Sequence, residues 1–225
     1  MAHELRTPVT AIYGFARILA TDHMEEFTTE TREIVAAVER NARRLRILVE
    51  QILDERLLSE GKIQLNLAVC RMEDVANEVI AELAGEAAAG NVTLRVLSGT
   101  GVPSLSADAD RIHQVVYNLT RNAIRFSPAS SEIVIVVSRA GDGASVAVTD
   151  RGPGVPAEYR QKIFERFFRI PGQNEGSGTG LGLAIVRELA LLHGGRAECR
   201  DNPGGGAVFC VTLPAVPPAR PTPVP

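Results

Sequence analysis

Two groups of residues in this chain have types and spacings suited to holding a polyanion. On a stretch with helical periodicity, Asn118 and Asn122 lie one turn apart on one face with Arg125 alongside, while Ile112, Val115, Val116 and Leu119 make the opposite, apolar stripe. Carboxamide oxygens are hard, neutral ligands suited to Mg²⁺, an ion that keeps waters and shares phosphate oxygens with its substrate. Arg125 would add positive charge. Taken alone, such a pair more often marks a solvated helix face. The second group is a pair of glycine clusters, Asp150-Arg-Gly-Pro-Gly154 and Gly176-Ser-Gly-Thr-Gly-Leu-Gly182, flanking Phe164-Glu-Arg-Phe-Phe-Arg169. Glycine lets backbone N–H groups approach a phosphate, and a helix opening after the second cluster favours an anion.

The elements that must position these residues follow from periodicity. Residues 146–148 lead in as a strand. Leu183, Ile185, Val186 and Leu189 lead out on one helical face. The span between exceeds the ~12–15 residues usual for an unstructured loop, which suggests a binding lid. Upstream, Leu5, Val9, Ile12, Ala16 and Leu19 alternate four and three, a coiled-coil seam, with His3, Thr7, Thr10 and Arg17 on the other face. After a polar loop at 21–29 a second helix carries Ile34, Val38, Leu45, Leu48 and Ile52, interrupted by Asn41, to about residue 59. One helical hairpin cannot bury both stripes well; a dimer forming a four-helix bundle would.

From Ile63 the pattern changes: Ile63, Leu65 and Leu67 alternate as a half-buried strand. Helices are expected over 75–89, 107–126 and from 183 to His193, and strands over 92–97, 133–137, 145–149, 196–200 and 208–212, with 99–106 as loop. Residues 202–206 read as a hairpin turn, across which Cys199 and Cys210 would face each other, though buried small apolar residues are the plainer reading. The fold class expected is α+β, with domains at 1–60 and 61–213 and a disordered Pro-rich tail at 214–225.

Composition narrows the setting. A net charge of -3 gives no electrostatic case for nucleic acid, and a hydrophobic fraction of 45% suffices for a packed core. No apolar run approaches the ~18 residues needed to span a bilayer, and Met1 is followed at once by a polar helical pattern rather than a leader. Cys70, Cys199 and Cys210 show no metal spacing and no disulfide framework, so a reducing cytosol is the default. His23 falls in a loop and His113 on a helix without a ligand partner. His193 falls at a helix C-terminus, where the dipole favours a cation.

Together the motifs resemble the catalytic core of a bacterial sensor histidine kinase over nearly all of residues 1–213. His3-Glu-Leu-Arg-Thr-Pro8 resembles the phosphoacceptor box, Asn118-Leu-Thr-Arg-Asn122 the asparagine box, and Asp150–Gly154 the first glycine box. Residues 164–169 resemble the phenylalanine box and Gly176–Gly182 the second glycine box. Each is weak alone; five in family order are specific. The resemblance implies a helical hairpin that dimerises, then a Bergerat-type ATP-binding α/β sandwich. It also implies ATP and Mg²⁺ as cofactors and, as partners, a second copy and the receiver domain of a response regulator.

Residue roles carry over position by position. Asn122 is implied as the direct Mg²⁺ ligand, with Asn118 beside it near the phosphates. Asp150 would accept a hydrogen bond from the adenine amino group, and a carboxylate there rejects guanine, which shows a carbonyl instead. Phe126 falls where the family sets an aromatic against the nucleotide, with helix-end core packing as its alternative. Gly152 and Gly154 would let the chain pass close to the base. Gly178, Thr179, Gly180, Leu181 and Gly182 would wrap the phosphates, and Arg166 or Arg169 would reach the γ-phosphate. Phe164 and Phe167 are expected to pin the lid to the core or to the helical hairpin.

His3 is the implied nucleophile. Its unperturbed pKa near ~6.5 leaves much of it neutral at pH 7. Glu4 could take or orient the other ring proton, Thr7 lies one turn on, and Pro8 should bend the helix. Ala2, Val9 and Arg125 depart from common family residues without disabling anything. The start at Met1, two residues before His3, suggests an excised core whose first turn frays. The activity implied is ATP-dependent autophosphorylation of His3 and transfer to a receiver aspartate. The alternatives are a regulator phosphatase using Thr7 and a non-catalytic nucleotide-sensing dimerisation module. This fragment would be cytoplasmic, and the full-length protein could carry an inner-membrane anchor.

Overall fold

The computed structural model describes residues 10–19, 27–38, 41–42, 45, 49, 64–172 and 179–217. The chain divides into two compact units, Met1–Ile63 and Gln64–Pro225.

In the first unit helical residues run over 10–19 (α1) and from 29 through 38, with 41, 42, 45 and 49 also helical (α2). Thr28 caps α2: its Oγ1 accepts from Thr31 N–H at 3.3 Å. Asn41, the break in the apolar stripe, turns its Nδ2 back to donate to Ala37 O at 2.9 Å. Ile12, Leu19, Ile34, Val38 and Leu45 are exposed.

The second unit runs β1 (Ala68–Cys70), α3 (Met72–Ala89), β2 (Thr93–Ser98), β3 (Leu105–Ala107), α4 (Ala109–Phe126), β4 (Glu132–Ala140), β5 (Gly143–Thr149), α5 (Gly182–Leu192), β6 (Arg196–Asp201) and β7 (Ala207–Leu213). Short 3-10 turns at Ala157–Tyr159 and Lys162–Phe164 fall between β5 and α5. The main sheet has the order β2-β4-β5-β7-β6, parallel only between β2 and β4. Alternation along the strands sends Ile133, Ile135, Val137, Val146, Val148, Phe209 and Val211 into the core, where α3, α4 and α5 cover one face of the sheet. The expected stripe of α4, Ile112, Val115, Val116 and Leu119, is buried against that face.

Several boundaries differ from the sequence pattern. Residues 64–67 are irregular, and the strand instead covers Ala68–Cys70, pairing with β3 inside the stretch read as loop. The alternating leucines misled: Leu67 is exposed, and the ladder needs Cys70 opposite Leu105, both buried. Residues 107 and 108 belong to β3 and to the α4 cap, because the Asp108 side chain accepts from Arg111 N–H at 3.2 Å and stops the helix there. Ser106 N–H donates to Ala215 O at 2.7 Å, so the start of the Pro-rich segment is tied to the fold.

His193 and the cysteine pair also depart from expectation. His193 is buried; its Nδ1 donates to Leu189 O at 2.8 Å and its Nε2 accepts from Asp108 N–H at 3.2 Å. A ring that must accept at Nε2 serves as a neutral bridge between the end of α5 and the start of α4, not as a cation on the α5 dipole. Cys199 pairs with Phe209 and Cys210 with Glu198, so the two thiols lie on opposite faces of the sheet and do not face each other.

Candidate functional site

α4 is the spine of the site. Its sequence keeps one apolar face for the core and leaves Asn118 and Asn122 one turn apart on the other. Both are half-buried, and neither side chain hydrogen-bonds to another described residue. A Cβ on Gly182 would lie 3.5 Å from Asn118 Oδ1, so the start of α5 approaches the asparagine face. α5 has no side-chain cap and no acidic residue in its first turn, whereas α4 has both Asp108 and Asp110 at its start. The uncapped N–H groups and dipole of α5 are thus left available to an anion. Thr179 Oγ1 accepts from Leu181 N–H at 3.1 Å, and Leu181 is buried as the anchor of this turn.

At its C-terminal end α4 meets the loop after β5. Arg125 stacks its guanidinium 4.8 Å over the Phe126 ring. A side chain on Gly152 would strike Phe126 O at 2.9 Å, which explains glycine there. Asp150 is buried, and its Oδ1 accepts from Gly152 N–H at 2.9 Å and from Ala207 N–H at 3.0 Å. Its Oδ2 has no hydrogen-bond partner among the described residues. Burial pushes the Asp150 carboxyl above the ordinary carboxylate range, with the two backbone hydrogen bonds opposing it. One oxygen is thus fixed and the other open to a donor, as a site for a base amino group requires.

Residues 202–206, expected only as a hairpin turn, also hold the Asp150 segment. Asn202 Nδ2 donates to Asp150 O at 2.9 Å, and Arg151 Nη1 donates to Gly204 O at 2.8 Å. Gly154, at φ +75, sits against Gly206 O. The run of three glycines, more than a hairpin turn needs, was the available signal.

The lid segment is built from both 3-10 turns. Phe164 is buried in the core, as expected, whereas Phe167 is 65% exposed and has φ +61, so of the two anchorages expected for it the core is excluded. Its backbone does the anchoring: Phe167 N–H donates to Gly180 O at 3.0 Å. Tyr159 and Phe168 make an aromatic contact within the segment, with centroids 5.7 Å apart. Arg166 and Arg169 lie exposed on this segment. Gly178 lies outside the described residues, as do His3, Glu4 and Thr7.

The structure thus brings Gly182 to Asn118 and Gly152 to Phe126, with Thr179, Gly180 and Leu181 leading into the first contact and Asp150 beside the second, and Asn122 and Arg125 on α4 between them; the neighbour of Gly154 is Gly206. No group of three His, Cys, Asp or Glu side chains that could hold a metal occurs among the described residues. A divalent ion here would rest on carboxamide and ligand oxygens, a donor set that fits Mg²⁺.

Residues 107–217 match the family described as histidine kinase-, DNA gyrase B-, and HSP90-like ATPase, and residues 1–61 match the His Kinase A (phospho-acceptor) domain. The chain is 35% identical to the alginate biosynthesis sensor protein KinB of Pseudomonas aeruginosa, over 95% of this chain and 36% of that protein. It is 30% identical to the circadian input-output histidine kinase CikA of Synechococcus elongatus, over 95% of this chain and 29% of that protein. The chain thus spans about a third of the length of each of these two relatives. Among solved structures, full-length ShkA in complex with AMPPNP aligns with TM-score 0.77 and 30% identity, covering 98% of this chain and 46% of that one. The mycobacterial sensor histidine kinase MprB aligns with TM-score 0.58 and 27% identity, covering 68% of this chain and 99% of that one. A phospho-acceptor segment followed by this ATPase domain has one reading across both kinds of comparison: the chain belongs to the histidine kinase family.

Proposed function

We propose that this chain is the kinase core of a two-component system, which binds ATP on α4, phosphorylates His3 and passes the phosphoryl group to an aspartate of a response-regulator receiver domain. The observation that carries the nucleotide assignment is the pairing of two uncommitted carboxamides, Asn118 and Asn122, with an uncapped helix start at Gly182. The ShkA structure was solved with AMPPNP, an ATP analogue, and its likeness to this chain supports the same ligand class.

In this reading Asp150 Oδ2 accepts from the adenine amino group, and Phe126 and Gly152 border the base. Arg125, stacked on Phe126, contributes positive charge at this same end of α4. Asn122 and Asn118 would hold Mg²⁺, which when bound neutralises phosphate charge. The amides at the start of α5 donate to phosphate oxygens, and Arg166 or Arg169 serves the γ-phosphate. His3 attacks the γ-phosphorus: the N–P bond forms, the bond to the ADP oxygen breaks, and the imidazole proton passes to base, for which Glu4 is positioned next in sequence. Such transfer needs positioning and charge neutralisation more than covalent help. Ile12, Leu19, Ile34, Val38 and Leu45, exposed in the single chain, support a homodimer through the helical unit.

Asn122→Ala tests the site. The side chain is half-buried and bonds to no described residue, so the fold should survive while the Mg²⁺-dependent part of ATP binding is lost. Isothermal titration with ATP, with Mg²⁺ and with a chelator, reads this out. Unchanged affinity in Mg²⁺ would remove Asn122 from the site.

A further inference from the structure

We propose that Asn202 is a positioning residue for the carboxylate of Asp150, so that the β6–β7 turn sets the preference for adenine. The inference rests on the reading of Asp150 as the acceptor for the adenine amino group.

Asp150 is held at four points. Its N–H donates to Ala207 O at 2.9 Å, and its Oδ1 accepts from Ala207 N–H and Gly152 N–H. Its carbonyl accepts from Asn202 Nδ2 at 2.9 Å. Three of these restraints come from the turn and the first residue of β7, and Asn202 supplies the only side chain hydrogen-bonded to Asp150 among the described residues. The Asn202 carboxamide is fixed in turn, because its Oδ1 accepts from Gly204 N–H at 3.2 Å and its backbone O from Gly205 N–H at 2.8 Å. Holding Oδ1 in this way keeps one N–H of the Nδ2 group directed at Asp150 O.

The approach is close. A Cβ on Gly206, at φ +95, would sit 2.2 Å from Asp150 O and 2.7 Å from its Oδ1, so the turn leaves room for no side chain there. Arg151 straps the same turn through Gly204 O. With N–H, C=O and Oδ1 of Asp150 all restrained, the carboxylate plane and the direction of Oδ2 are set before any ligand arrives. Releasing the carbonyl frees the peptide between Asp150 and Arg151 and lets the carboxylate swing. A group that reads one amino group suffers from small misplacements, whereas contacts to the phosphates at the far end of α4 do not depend on it.

The test uses Asn202→Ala and Asn202→Asp in the 225-residue chain. The aspartate keeps the acceptor for Gly204 N–H and replaces the donor with a charged oxygen, so the pair stays informative if the alanine change unfolds the turn. Affinities for ATP and inosine triphosphate, whose base carries a carbonyl in place of the amino group, are measured in Mg²⁺ alongside melting temperature. We expect ATP affinity to fall by about tenfold while inosine triphosphate affinity stays within about twofold, which collapses the preference. An unaltered ATP-to-inosine triphosphate ratio, or equal losses for both, would overturn the role of Asn202. A parent chain that binds both nucleotides equally would instead overturn the underlying reading of Asp150.

Discussion

Asp150 concentrates the chemistry of the site in one side chain. Burial raises its pKa, and hydrogen bonds from Gly152 and Ala207 only partly offset this. A carboxyl whose folded pKa lies above its unfolded value binds its proton more tightly when folded. Its contribution to stability is therefore complete below the unfolded pKa and is lost as pH rises through the folded one. At neutral pH the ionised group is a burden on the free protein, kept for its open Oδ2. Asp150→Asn removes the charge and keeps an oxygen for the two N–H donors. Its melting temperature at pH 7.5 should match or exceed the parent's, while ATP affinity falls by about tenfold or more, since a charged acceptor gives way to a misdirected donor. A thermal melt and a nucleotide titration on the same samples check both halves; a lower melting temperature with ATP affinity intact would contradict the assignment. The same sign predicts that ATP affinity of the parent weakens on acidification from a pH above the ordinary carboxylate range, a component the variant should lack. The aspartate and its flanking glycines were legible in the sequence because their types are chemically unusual together. Asn202 was not, because its role depends on a contact across 52 positions in the chain.

Elements were legible where one period dominates. The α4 stripe, the β4–β5 and β6–β7 hairpins and α5 all follow from alternation or helical spacing. The short β1–β3 ladder was not, since three-residue strands carry too few alternations to stand out and their pairing is non-local. His193 was read by its place at a helix end, which does not reveal that Asp108 supplies it with a donor from across the fold. That bridge ties the end of α5 to the start of α4, the two helices that border the site. His193→Ala should leave the Leu189 carbonyl and the Asp108 N–H without this partner and open a cavity beneath the helices, lowering unfolding free energy by about 2–4 kcal/mol. Urea denaturation measures it. A loss under about 0.5 kcal/mol, the range of ordinary surface changes, would mean the bridge is incidental. Cys199 adds a second check on the inner side of β6: burial pushes its thiol up to about 12. At pH 8 only about one in 10⁴ such groups is ionised, so alkylation there should be far slower than at an ordinary thiol.

For the whole molecule, the change from an all-helical to a mixed pattern near residue 60 announces two functions, and the structure divides into two compact units. The ATPase match over residues 107–217 falls in one and the phospho-acceptor match over residues 1–61 in the other, where the proposed function puts ATP binding and His3. In the proposed reading Thr7, four positions after His3, serves the reverse activity: Thr7→Ala should keep autophosphorylation and slow dephosphorylation of the cognate regulator, measured as the decay of the regulator's phosphoaspartate. Equal loss of both would make Thr7 a helix-shaping residue. The central claim, that ATP bound on α4 phosphorylates His3, is tested most directly by incubating the protein with γ-labelled ATP and Mg²⁺ and examining the bound label. The account predicts label that is acid-labile and base-stable, absent in both His3→Gln and Asn122→Ala, and transferred to an aspartate when receiver domains are added. Label that persists in His3→Gln, or that survives acid and is lost in base, would contradict it.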